Sequence, residues 1–232
     1  RDRHRLRGMN ARGRGVEREF ADRDAHAAGA LIAETEDALV IRDDDQPHVV
    51  SLETRPPNLE DRGEYTIRDL VKNALRMRPD RIVVGECRGG EALDMLQAMN
   101  TGVEGSMSTV HANSPRDAFS RLEAMVLMSD IEMPTRVILQ QLSSAIKLVV
   151  QVSRLQDGTR KIVNISEVLG VRDERVDVQD IFIFERTGVT DAGKVQGRFR
   201  STGAAPRVLD RLRVAGVSIN PSIFAEVLEV NQ

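Results

Sequence analysis

A carboxylate and an imidazole each close a short strand-like run in the stretch from Arg81 to Asn113, RIVVGECRGGEALDMLQAMNTGVEGSMSTVHAN. Glu86 follows Ile82, Val83, Val84 and Gly85, and His111 follows the run from Gly105 to Val110. Ligands of open α/β sheets bind beyond the carboxyl ends of the strands, so a carboxylate there can hold a hydrated metal or an attacking water. The order of the two runs places Glu86 and His111 at the same edge of one sheet. The plainer alternatives are an ordinary strand terminus for Glu86 and a hydrogen-bonded structural residue for His111.

The elements that must hold these two residues can be read from pattern. Ile82 to Val84 is wholly apolar and follows a Pro79–Asp80 turn, which suits a central strand of a parallel sheet. Gly89–Gly90 opens a helix carrying Ala92, Leu93, Leu96 and Met99, and Asn100 to Gly102 closes it. Ser114–Pro115 is a helix start with serine as cap. Upstream, Val49 to Glu53 reads as a strand, Thr54 to Pro57 as a break, and Thr66 as the cap of a helix with an Ile67, Leu70, Val71, Ala74 and Leu75 stripe. Arg68, Arg76 and Arg78 lie off that stripe, where they could serve a phosphate or a neighbouring subunit.

Downstream, one helix carries Ala118, Leu122, Met125 and Val126, and a second begins at Met133–Pro134 with Val137, Ile138, Leu142 and Ala145. Ile146 to Gln156 and Thr159 to Val168 alternate about Asp157–Gly158, a hairpin predicted to extend the sheet antiparallel. Further strands are predicted at Ile181 to Phe184 and Lys194 to Phe199. Helices are predicted near Arg207 to Val214 and from Pro221 to Val230.

Composition limits the classes of function. The 232 residues suffice for a proper core, and a net charge of -3 argues against a dominant nucleic-acid surface. One cysteine, Cys87, leaves no intrachain disulfide framework or cysteine zinc cluster and reads as a strand-end packing residue in a reducing cytosol. The sequence has neither an eighteen-residue apolar stretch nor an apolar h-region at its start, so no membrane span or signal peptide is expected. Residues 1–30 are rich in Arg, Ala, Gly and Asp and read as a disordered leader, with a phosphate- or nucleic-acid-binding arm as the alternative. The domain reading is a leader over 1–30, a core over 31–200 and a helical segment over 201–232.

Three motifs, RPDRIVVGE at Arg78 to Glu86, GSMSTVHANSPRDA at Gly105 to Ala118 and LETRPPN at Leu52 to Asn58, together resemble the type II/IV secretion ATPases, and specifically the Tad-type pilus assembly branch. The likeness covers roughly Gln46 to Arg200. It implies a RecA-like P-loop NTPase core of α/β class, with a mostly parallel sheet, helices on both faces and an antiparallel hairpin extension. By that resemblance Glu86 is the Walker B acid holding Mg2+ through water, His111 is the His-box residue near the γ-phosphate, and Gly85 and Arg55 belong to the ATP site. Glu36, in a Glu36–Asp37 pair, takes the water-orienting role of the family's acidic box. The implied assembly is a hexameric ring, peripheral at the cytoplasmic face of the inner membrane, coupled to platform proteins of a pilus or secretion system. No nucleic acid is expected.

The chain departs from the family's pattern after Glu36–Asp37, where Leu39–Val40–Ile41 and the run Asp43–Asp44–Asp45 stand in place of a further acidic–apolar pair, and ahead of it. The family carries GxxxxGK followed by Ser or Thr ahead of the Glu36 position, because successive amides and the lysine wrap the β- and γ-phosphates. Here Lys72, Lys147, Lys161 and Lys194 follow no glycine-rich turn ahead of a helix. The core is therefore read as incomplete at its N-terminus, with the family sequence replaced upstream of about Gln46 by truncation, fusion or a frame shift. Arg55 could then be no more than a solvent-facing arginine in a turn, and the chain a non-catalytic assembly remnant.

Overall fold

The apolar run beside Glu86 forms β3 (Arg81–Val84), in which Ile82, Val83 and Val84 are buried, as a strand covered on both faces requires. The computed structural model describes residues 38–42, 48–129, 131–225 and 227–228. These belong to one compact unit, 34–232. Its first sheet has the order β2-β1-β3-β4, with β1 at Ala38–Arg42, β2 at His48–Leu52 and β4 at Met107–Ser108.

That sheet differs from the mostly parallel one expected. Only β3 and β4 run parallel, pairing Val83 with Met107 and Val84 with Ser108. β1 is antiparallel to β2, Val40 opposite Val50, and antiparallel to β3, Val40 opposite Ile82. The reason is local: β1 and β2 are too close in sequence for a crossover, so they close as a hairpin, and β1 meets β3 through its other edge.

The hairpin about Asp157–Gly158 forms as predicted but does not extend this sheet. β5 (Leu148–Arg154) and β6 (Arg160–Arg172) open a second, antiparallel sheet of order β5-β6-β7-β8-β9, completed by β7 (Arg175–Val189), β8 (Val195–Ser201) and β9 (Val227–Leu228). Four helices stand with the sheets: α1 (Ile67–Arg76), α2 (Glu91–Asn100), α3 (Pro115–Leu127) and α4 (Thr135–Ala145). α1 and α2 pack on each other, while α3 and α4 reach β7 of the second sheet. One apolar core runs through Val71, Ile82, Leu93, Leu96, Leu122, Ile138 and Leu142 to Val168 and Val178, joining the two sheets through the helices.

Both predicted caps are present. Thr66 and Asp69 exchange bonds as a capping box at α1, and Ser114 Oγ accepts from the Asp117 amide at α3. α5 (Val208–Val214) matches the helix expected there, with its first amides, Arg207 and Val208, donating to the buried Glu167 carboxylate at 3.0 and 3.2 Å. The helix expected over Pro221 to Val230 is instead one 3-10 turn, Pro221–Phe224, followed by β9. A bond from Ser201 Oγ to the Phe224 carbonyl and the Phe182–Phe224 ring contact draw this segment onto the second sheet, where the backbone of β9 pairs with β8.

Candidate functional site

Beyond the ends of β3 and β4 the two chains stay stapled together. The Cys87 amide donates to the Thr109 carbonyl at 2.9 Å, and Thr109 Oγ1 donates to the Gly85 carbonyl at 2.6 Å. This staple carries the parallel register past the two paired residues of β4 and sets Glu86 and His111 at the same sheet edge. Their side chains meet, His111 Nε2 lying 3.0 Å from Glu86 Oε1. The predicted juxtaposition is therefore present.

A third side chain completes the cluster. Arg88 Nε and Nη2 lie 2.7 and 2.6 Å from the other carboxylate oxygen, Oε2. The carboxylate is recessed and its partners are not: side-chain exposure is 22% for Glu86, 80% for Arg88 and 82% for His111. The Arg88 hydrogen bond holds the Glu86 carboxyl below the usual carboxylate range, aided by the charges of Arg88, His111 and Arg121 against the cost of partial burial.

The turn after Glu86 is held by its own helix. Glu91 Oε1 accepts from the Arg88 and Gly89 amides at 2.6 and 2.9 Å, so the first amides before α2 are spent on an internal carboxylate. Gly90 sits at a close approach, since a Cβ there would stand 3.2 Å from the Ser129 backbone. Cys87 is the buried packing residue expected, its thiol pushed up to about 11 by burial. On the other side of His111, Gln151 Nε2 of β5 donates to the Ala112 carbonyl at 2.9 Å, which ties the histidine loop to the second sheet.

Arg55 is not gathered here. Arg55 is engaged in its own loop: Nε donates to the Gly63 carbonyl at 2.6 Å, the guanidinium lies 4.8 Å from the Tyr65 ring centre, and the backbones of Arg55 and Tyr65 pair. Among the described residues no contact joins it to Glu86 or His111. Arg68 likewise serves structure, its Nε 2.6 Å from the buried Asp94. Glu36, like residues 1–30, lies outside the described residues. Arg88, Thr109 and Gln151 were not singled out from sequence. For Arg88 a signal existed, a basic residue two positions beyond the strand-end acid. Thr109 and Gln151 carry no local mark.

As a cation site the cluster offers a single carboxylate, and among the described residues no group of three or more His, Cys, Asp or Glu could hold a metal ion. That donor set fits Mg2+ only in the way this ion is commonly held, through retained waters and one carboxylate with phosphate oxygens completing the shell.

Comparison with known proteins gives the class. The family described as Type II/IV secretion system protein matches residues 21–204, and the chain belongs to it. The match begins upstream of Gln46 and so includes the Glu36 position. Among individual relatives, a Mycobacterium tuberculosis protein named for conjugal transfer is 40% identical over 159 residues, 68% of this chain and 44% of that protein. The conjugal transfer protein TrbB of Rhizobium radiobacter is 32% identical over 157 residues, covering 66% of this chain and 47% of the relative. The Type IV secretion system protein VirB11 of Brucella suis is 37% identical over 112 residues, 47% of this chain and 30% of VirB11. A crystal structure of the VirB11 ATPase from the Brucella suis type IV secretion system in complex with sulphate aligns at a TM-score of 0.43 over 44% of this chain and 32% of that one, with 36% identity. The chain spans less than half the length of these relatives. No helix among the described residues is long and apolar enough to cross a membrane.

Proposed function

We propose that this chain belongs to the motor of a secretion or Tad-type pilus assembly system, in which ATP hydrolysis drives export of pilin or another substrate. The observation that carries this reading is the Glu86–His111 contact of 3.0 Å at the carboxyl edge of the β3–β4 parallel pair, in a member of the secretion family. Bound Mg2+ would supply charge neutralisation at the phosphates. Glu86 orients its hydration shell, His111 hydrogen-bonds the γ-phosphate, and Gly85 lets the backbone approach. Glu36 and Arg55 are assigned the water-orienting and phosphate-binding roles by resemblance alone. The motor works as a ring of six copies, peripheral at the cytoplasmic face of the inner membrane and coupled to platform proteins, without nucleic acid.

This polypeptide by itself hydrolyses ATP negligibly. The amides of Arg88 and Gly89 beside Glu86 are spent on Glu91 and offer a phosphate no donor. The test is a chimera in which residues 81–113 replace their counterpart in Brucella suis VirB11. Phosphate release should be retained in the chimera and fall on the order of 100-fold with Glu86→Gln, as removal of a transition-state contact does. Turnover indifferent to Glu86 would refute the assignment. A second reading, a non-catalytic assembly module, is favoured by the pairing of both Glu86 oxygens with Arg88 and His111. It requires that the chimera be inactive and that ATP titration of the chain stay flat in calorimetry.

A further inference from the structure

The contact between Arg88 and Glu86 is built in a way that invites exchange. An arginine bound most tightly to a carboxylate lays two parallel N–H groups on two oxygens. Here Nε and Nη2 converge on Oε2 alone, because Oε1 is taken by His111 at 3.0 Å. A phosphate group offers the two-oxygen geometry that this carboxylate cannot present. It would also approach from the side on which Arg88 and His111 lie, since both are four-fifths exposed and Glu86 is recessed beneath them. The backbone of Arg88 need not move, because its amide and that of Gly89 are fixed by Glu91. Only the guanidinium must swing.

We propose that Arg88 is a positioning residue whose guanidinium is contested between Glu86 and a phosphate group: phosphate draws Arg88 off Oε2, and the freed oxygen becomes available to orient a hydrated cation or an attacking water. This inference rests on the function proposed above and names a regulation of the same site. The ligand chemistry is a phosphate group with at least two unsubstituted oxygens, which the terminal phosphate of a nucleoside triphosphate and free inorganic phosphate both offer. The exchange is non-covalent and leaves every proton where it was.

The competition has a signature that a structural salt bridge lacks. Removing the carboxylate charge should strengthen phosphate binding, and only while Arg88 is present. The full chain, labelled at arginine nitrogen, is titrated with inorganic phosphate in one arm and with Mg-ATP in the other, against sodium chloride at matched ionic strength. The Arg88 Nε–Hε resonance, assigned by its loss in Arg88→Lys, should shift saturably. The apparent affinity should rise several-fold in Glu86→Gln, and that gain should vanish in the Glu86→Gln, Arg88→Lys double variant. A response in both arms identifies the phosphate group as the ligand, and one confined to Mg-ATP identifies the nucleotide. An unmoved Arg88 resonance in both arms, or an affinity that Glu86→Gln leaves unchanged or weakens, overturns the proposal. Failure here with Glu86-dependent turnover in the chimera would leave the motor assignment standing. An inactive chimera with intact competition would remove the motor assignment alone.

Discussion

Asp94→Ala tests how the turn that carries Arg88 is held in place. Asp94 lies one turn into α2, its side chain 10% exposed, with Arg68 Nε of α1 at 2.6 Å and Lys72 Nζ at 4.0 Å. The contact with Arg68 is an ion pair without an aligned hydrogen bond. Exposed pairs contribute roughly 0.2–1 kcal/mol, and breaking a fully buried pair costs about 3–5 kcal/mol. Arg68 is 31% exposed, so once the Asp94 carboxylate is gone the guanidinium can recover part of its hydration. The expected cost of Asp94→Ala is therefore about 2 kcal/mol, between the two limits. With a urea slope of about 2–3 kcal/mol/M, this lowers the unfolding midpoint by roughly 0.7–1 M. Urea unfolding followed by circular dichroism, in a cycle with Arg68→Met and the double variant, should give a coupling of about 1 kcal/mol. A coupling under about 0.3 kcal/mol, the usual scatter of additivity, would refute the claim that this pair clamps α1 to α2.

Asp157 accepts from Thr159 and from the Val195 amide, and these bonds lower its carboxyl from 3.8 to about 2. A folded pKa below the unfolded one gives a contribution fully present above pH 3.8 and lost as pH falls towards about 2, so Asp157→Asn should flatten the acid limb of the urea midpoint over that window. Ser114→Ala removes the α3 cap bond to the Asp117 amide and should cost about 1 kcal/mol in the same unfolding assay. Gly197→Ala drives a methyl into the Phe184 ring and to 2.8 Å from the Glu185 carbonyl, and should lower stability by about 1–3 kcal/mol, visible as an earlier thermal transition.

Features encoded within a few residues were the ones legible in the sequence. Thr66 and Asp69, Ser114 and Asp117, and Asp157 and Thr159 each satisfy a backbone group three or fewer positions away, so their caps and turns follow from spacing alone. The apolar run Ile82 to Val84 likewise announced a buried strand, and the acid and histidine following two such runs announced a shared edge. What failed was partner choice. LVVQVSR and the strand after it pair as the turn dictates, but their allegiance to a second sheet is decided by α3 and α4, whose side chains lie between. Leu39 to Ile41 form β1, a strand missed because an acidic run follows and no turn pair marks the hairpin. The apolar stripe near Pro221 looked helical. Its Ile223 amide instead closes a 3-10 bond to Asn220, and Phe224 is taken by the second sheet.

The pairing of Glu86 with His111 depends on more than the two residues of β4. A parallel ladder with two paired positions is short, and its hydrogen bonds are slanted and slightly less stable per residue than antiparallel ones. Left to that ladder, the His111 loop would fray first, as weakly paired termini do. Two contacts prevent it from opposite sides: Thr109 bonds back to Gly85 and Cys87 on the β3 side, and Gln151 of β5 holds the Ala112 carbonyl on the other. The backbone on either side of His111 is thus anchored to both sheets, while its ring remains 82% exposed. A residue held in this way keeps its main chain fixed and its ring free to exchange partners, which is the combination that a contact of 3.0 Å to a recessed carboxylate requires if phosphate is to enter beside it.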